Sequence, residues 1–229
     1  MLIGILQTGH FLDNADRELG DYDDQFQRML AGHGFEFRTW NVVDMDFPTS
    51  VDEAQGWLIT GSKHGAYDDL PFIAPLEDFI RRACAKAVPM VGICFGHQII
   101  AQALGGRVVK FDEGWAVGAT EYQWLGEPVT LNAWHQDQVI EKPLRAERVA
   151  SSAFCENAAL LYPGRAFTVQ AHPEFDQPAI KSLLKARRGK GVIPEEQLDT
   201  VEDRLETKVD NALITQRIVE FFKETVTHG

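Results

Sequence analysis

A chain of 229 residues with 45% hydrophobic content is long enough for one large domain, residues 1–229, with a substantial core. Its 34 acidic and 22 basic residues leave a formal charge of −12 and a pI near 5.0, which repels a phosphate backbone and excludes nucleic acid as the main partner. No stretch approaches a membrane span, the start Met1-Leu2-Ile3-Gly4-Ile5-Leu6 lacks the pattern of a signal peptide, and Cys84, Cys94 and Cys155 are too few and irregular for a disulfide framework or a four-ligand zinc site.

Leu2 to Gln7 is a short apolar run that predicts a strand, and Phe26, Met29 and Leu30 then repeat at helical spacing. Gly56-Trp57-Leu58-Ile59-Thr60 predicts a second strand, followed by a helix whose face carries Leu76, Phe79, Ile80 and Ala83. Pro89 to Ile93 predicts a third strand and His97 to Leu104 a helix stopped by Gly105-Gly106. This alternation implies an α/β fold: an open, mostly parallel sheet with helices on both faces. From Val108 to about Val149 short β-prone runs and turns predict a small antiparallel extension beside it. Phe167 to Gln170 is a further β-rich run. Beyond Gln177 the chain turns helical, a tail over about 178–229, with Val201, Leu205 and Val209 on one face and Ile214, Ile218 and Phe221 on another. The basic patch Arg187, Arg188, Lys190 reads as a solvated helix end.

Gly92-Ile93-Cys94-Phe95-Gly96 lies where a buried strand meets a helix. Flanking glycines permit a sharp turn that holds its central residue in a strained conformation and presents it at the carboxyl edge of the sheet. There the free N–H groups and positive end of the next helix favour a nucleophilic thiolate, and the Phe95 N–H is placed to stabilise an oxyanion. A buried structural cysteine in a tight turn is the competing interpretation of a lone G-x-C-x-G. A thiol nucleophile also needs a base and a third group that fixes the base. Val169-Gln170-Ala171-His172-Pro173-Glu174-Phe175 offers candidates for both: His172 and Glu174 sit two apart in a segment that proline keeps extended, so they face the same way, although a His-Pro-Glu loop taken alone is more often ordinary surface.

Gly92-Ile93-Cys94-Phe95-Gly96-His97-Gln98 and His172-Pro173-Glu174 together resemble the signatures of the class I, triad-type glutamine amidotransferase family, especially stand-alone members similar to the glutaminase unit of GMP synthase. The resemblance implies a flavodoxin-like amidotransferase fold and a triad of Cys94, His172 and Glu174. It further implies an oxyanion site made by the backbone of Ser62 and Phe95, with Gly61 allowing the turn, and a substrate contact from Gln98. His97 is expected to pack its helix. Trp134-His135-Gln136-Asp137 resembles another family segment, with His135 and Asp137 mainly structural and Gln136 where glycine is common. Gly114-Trp115-Ala116-Val117-Gly118 resembles the segment that holds the substrate amino acid, Gly118 included, but Ala116 stands where an acidic residue is frequent. Gly20-Asp21-Tyr22 is expected to open the first helix and either shape the pocket entrance or cap the helix. His10, His33, His64 and His228 match no signature and are expected to be exposed or packing residues.

The implied reaction is hydrolysis of the side-chain amide of glutamine through a γ-glutamyl thioester on Cys94, releasing ammonia and glutamate. The alternatives are hydrolysis of γ-glutamyl peptides or conjugates by the same triad, and a non-catalytic member that binds a ligand or partner. The expected partners are glutamine or another γ-glutamyl compound and an ammonia-accepting synthase subunit, with no nucleic acid and no membrane. No cofactor and no metal are expected, and the expected location is cytoplasmic.

Overall fold

The computed structural model describes residues 1–11 and 19–227. The first strand, β1 (Leu2–Leu6), is followed by α1 (Tyr22–Met29), β2 (Glu36–Trp40), β3 (Gly56–Ile59), α2 (Ile73–Ala85), β4 (Met90–Ile93) and α3 (Phe95–Ala103). Then come β5 (Arg107–Lys110), β6 (Ala116–Trp124), β7 (Glu127–His135), β8 (Asp137–Glu141), β9 (Glu147–Ser151), β10 (Ala159–Tyr162) and β11 (Ala166–Val169). Three helices close the chain: α4 (Gln177–Arg187), α5 (Glu195–Asp203) and α6 (Asn211–Thr227). Among the described residues the main sheet runs in the order β2-β1-β3-β4-β11-β10-β9-β6-β7.

The expected α/β architecture is present. Strands β2, β1, β3, β4 and β11 pair in parallel, and alternate side chains of each strand enter different cores because successive residues point to opposite faces. Ile3 and Ile5 of β1 and Val91 and Ile93 of β4 pack with Phe26, Ile214 and Ile218 of α1 and α6. Leu6 and Met90 face the other way, with Leu76, Phe79 and Ile80 of α2 and Ile99 and Ile100 of α3. Burial of both faces is what makes the central strands nearly continuous apolar runs.

Four details differ from the sequence expectation. Strand β2, which no apolar run announces, is an edge strand whose Glu36, Arg38 and Phe37 are exposed or half-buried; charged residues are common on edges, where they discourage further strand pairing. The antiparallel strands do not merely stand beside the parallel ones. β10, β9, β6 and β7 continue the same sheet, with β6 joined to β9 at Gln123–Ser151 and Trp124–Ala150, and only β5 and β8 form a separate ladder. Helix α3 begins at Phe95, two residues before His97, because Cys94 itself is the capping residue. Helix α5 ends at Asp203, so Leu205 and Val209 lie in the connection to α6 and share no helical face with Val201.

Candidate active site

Strands β4 and β11 are adjacent and parallel, so their carboxyl ends deliver two segments to one place. The first is the turn into α3. Cys94 has φ 53° and ψ −104°, a conformation an L-residue adopts only at a cost. The neighbouring glycines are sterically required: a Cβ on Gly92 would lie 2.4 Å from the Gly96 carbonyl oxygen, and one on Gly96 would lie 2.2 Å from that of Ile59. Gly96 N donates to Thr60 O at 3.1 Å and Cys94 N to Val169 O at 2.9 Å, which ties the turn to strands on both sides.

The second segment carries the histidine. His172 Nδ1 and Glu174 Oε1 are 2.6 Å apart, both side chains almost wholly removed from solvent. His172 N donates to Asn132 O at 2.8 Å, while Asn132 Nδ2 and Asn211 Nδ2 both donate to Phe175 O, at 3.0 and 2.9 Å. Strand β7 and helix α6 therefore clamp the His-Pro-Glu turn from either end. Phe175 stacks on the imidazole with ring centroids 4.0 Å apart and an interplanar angle of 3°. Phe11 and Tyr22 extend this aromatic support.

Burial alone would lower the His172 pKa, but the Glu174 carboxylate and the Cys94 sulfur outweigh it and push the imidazole up to about 10. A protonated ring facing the sulfur is thereby favoured at neutral pH. Its remaining nitrogen is the one directed away from Glu174, since Nδ1 is committed to the carboxylate.

Two backbone N–H groups, those of Ser62 in the cavity wall and of Phe95 next to Cys94, have no acceptor among the described residues. The Gly61 carbonyl accepts from the hydroxyls of Thr8 and Thr60, at 3.1 and 3.0 Å. A trans peptide points its N–H the opposite way, so Ser62 N–H is turned from those hydroxyls. Ser62 Oγ donates to Thr8 O at 2.7 Å and accepts from His64 N at 3.2 Å, which pins the loop. The Phe95 N–H is the first free donor of α3. Gly61 backs the imidazole: a Cβ there would lie 3.0 Å from His172 Cε1.

A cavity of about 570 Å³ opens over Cys94 and His172, with Ser62, Gln98, Trp115 and Trp134 in its wall. Gln98 lines it but spends its amide N–H groups on Asp137 O at 2.9 Å and Gln170 Oε1 at 3.1 Å. Gly118 is elsewhere: it lines a separate small cavity, at φ 75°, and a Cβ there would meet Val201 of α5. Ala116 likewise borders a second cavity of about 300 Å³ beyond Trp115. Phe95 is buried against Phe72 and contributes backbone only.

His97 is fully buried and shares a 2.8 Å hydrogen bond with Thr168 Oγ1; burial and the nearby His135 lower it to about 3, as burial does for His135. Asp137 accepts from Tyr67 OH at 3.1 Å, and its carboxyl is raised by burial. Asp21 caps α1 in a reciprocal capping box with Asp24, and Tyr22 lines the cavity. His10 and His64, expected to be exposed or packing residues, are exposed and half-buried and both line the cavity; His10 Nδ1 lies 2.6 Å from Asp21 Oδ2. His33 is half-buried away from it, and His228 lies outside the described residues. Arg187 is the main surprise, since its wall position contradicts a solvated helix end. The available signal was Leu183, four residues earlier on α4 and apolar, which marks that face as inward.

The sequence profile of the class-I glutamine amidotransferases matches residues 18–186. The chain belongs to this family. It is accordingly an enzyme of the amidotransferase and hydrolase type. A Schizosaccharomyces pombe protein described as glutamine amidotransferase-like is 32% identical over 97% of this chain and 98% of its own length. Gamma-glutamyl peptidase 4 of Arabidopsis thaliana is 28% identical over 91% of this chain and 89% of its own. Among solved structures, a glutamine amidotransferase of Thermotoga maritima superposes with a TM-score of 0.73 at 21% identity, covering 98% of this chain and 97% of the other, which establishes the shared fold. Among the described residues no helix is long and apolar enough to cross a membrane.

Proposed function

We propose that the chain hydrolyses γ-glutamyl amide bonds through a thioester on Cys94, and that its substrate is a γ-glutamyl peptide or conjugate. The observation that carries the chemistry is the buried 2.6 Å His172–Glu174 pair at the strand end beside Cys94. The Cys94 thiolate attacks the γ-carbonyl carbon, and the N–H groups of Ser62 and Phe95 receive the oxyanion. As the C–N bond breaks, His172 gives its proton to the departing amine. Water then attacks the thioester carbonyl while His172 accepts its proton, the C–S bond breaks and glutamate leaves. Glu174 holds the ring in one tautomer and stabilises its charged form.

Cavity size supports the substrate class. A volume of about 570 Å³ falls within the roughly 300–1,000 Å³ of sites that enclose drug-sized ligands, more than an amide nitrogen alone requires. The full-length relationship to a gamma-glutamyl peptidase points the same way. The second reading, favoured by the family match over residues 18–186, is hydrolysis of free glutamine with ammonia passed to a synthase partner. Comparison of kcat/KM for glutamine and γ-glutamyl-alanine, followed by glutamate release, tests the choice. A preference for the dipeptide supports the peptidase reading; a preference for glutamine replaces it with the amidotransferase one.

A further inference from the structure

Arg187 and Arg188 are adjacent at the end of α4 but have opposite surroundings. Arg188 is tied to Glu195, Asp199 and Glu202. Those three carboxylates belong to α5 and link it to the end of α4. Arg187 makes no ion pair with a described residue, and its Nε–H is buried without an acceptor. It lines the catalytic cavity together with Leu183, four residues earlier on the same helical face.

Its position within the cavity is marked by Tyr22. Burial, Cys94, Glu174 and Asp21 all raise the buried Tyr22 hydroxyl, and Arg187 is the cation that opposes them. Arg187 and Tyr22 thus line one cavity, near enough for the guanidinium charge to act on the hydroxyl. Among the described residues the carboxylates that act on Tyr22 are already committed: Asp21 accepts from Gln7 Nε2, Phe11 N and Tyr22 N and lies against His10, and Glu174 pairs with His172. A half-buried guanidinium with no carboxylate partner among the described residues is available to an anion in the cavity, and a carboxylate matches its planar fork.

The remaining charged wall has a different character. Asp137 and Asp68 line it with Lys110, whose charge acts on Asp137. Mixed charges of this kind suit a zwitterionic head, the α-amino and α-carboxylate groups of the glutamyl unit. The Arg187 side suits a carboxylate standing alone. Val192, an exposed apolar residue of the same cavity wall, would cover the side chain that comes with that carboxylate.

We infer that Arg187 is the recognition residue for a carboxylate on the leaving group, so that the enzyme selects γ-glutamyl peptides whose departing amino acid keeps its free carboxylate. This rests on the γ-glutamyl-amide reading above. The test uses the full chain with γ-glutamyl-alanine and γ-glutamyl-alaninamide, which differ only in that charge. Wild type is expected to favour the carboxylate, and Arg187→Gln to reduce the carboxylate-to-carboxamide ratio of kcat/KM by about 10- to 100-fold, chiefly through KM, as expected for a lost hydrogen bond to a charged group. Arg187→Lys should keep part of the ratio, since the charge remains without the fork. Equal use of both substrates by wild type, or an unchanged ratio in Arg187→Gln, overturns the subsite while leaving γ-glutamyl hydrolysis intact. No turnover of either substrate, or of glutamine, by wild type overturns the γ-glutamyl reading itself and the subsite with it.

Discussion

The parallel half of the sheet and the end of α4 meet over the same cavity but are held in different ways. At the ends of β4 and β11, position is imposed by backbone: Cys94 N and Gly96 N are hydrogen-bonded to strands on either side, and two glycines leave no space for a side chain. At the end of α4, position is imposed by exposed charge, with Arg188 bridging three carboxylates of the next helix. Backbone hydrogen bonds in a buried sheet tolerate almost no displacement, whereas exposed ion pairs are weak and screened by salt. The difference suits a constant reaction centre and an adjustable selector of the leaving group.

That contrast can be broken most severely at the sulfur. Cys94→Ala is expected to lower turnover by at least ~10⁴-fold, the scale on which triad members act, with a melting temperature close to wild type because little buried volume is lost. Glutamate release and thermal melting read both; retained turnover would end the proposed mechanism. Glu174→Gln keeps the shape but takes away the charge that holds the His172 proton, and a loss of about 10²- to 10⁴-fold in kcat is expected.

The same variant has a signature in stability. The folded His172 pKa, about 10, lies above its ordinary value of 6.5. Its contribution is therefore fully present below pH 6.5 and disappears as the pH rises toward 10. Melting temperatures of wild type should fall over that interval, and Glu174→Gln should flatten the fall. An identical alkaline profile for the two proteins would show that Glu174 does not hold the proton. Substitution at Arg187 comes next in size and leaves this profile unchanged, since it acts on substrate choice. The smallest effect is on folding at the elbow: Gly96→Ala forces a methyl group into backbone 2.2 Å away and is expected to cost about 1–3 kcal/mol, as overpacking does. A melting temperature equal to wild type would show the turn to be less constrained than its contacts indicate.

The chain of strands and helices leading to Cys94 was readable because buried parallel strands must be apolar on both faces and the turn between them needs glycine. The His-Pro-Glu motif was readable for a local reason too, since alternation in an extended segment sends both side chains one way. Neither pattern shows that Asn132 and Asn211 clamp the Phe175 carbonyl oxygen, because those contacts join residues 43 and 36 positions apart; the stacking of Phe175 on the imidazole, though local, depends on how the turn after the motif folds back. Edge strand β2 escaped notice for the opposite reason, its half-exposed pattern carrying no buried run.

By itself the sequence determined the α/β class and singled out the three residues proposed to carry the chemistry, because each lies in a motif of short-range spacing. It also placed Gly118 in the substrate segment and Arg187 on a solvated helix end, from local resemblance and local charge. The tertiary structure decided otherwise. Gly118 packs against α5 outside the catalytic cavity and Arg187 turns into it, because the direction in which a helix face or a hairpin points is set by what packs behind it.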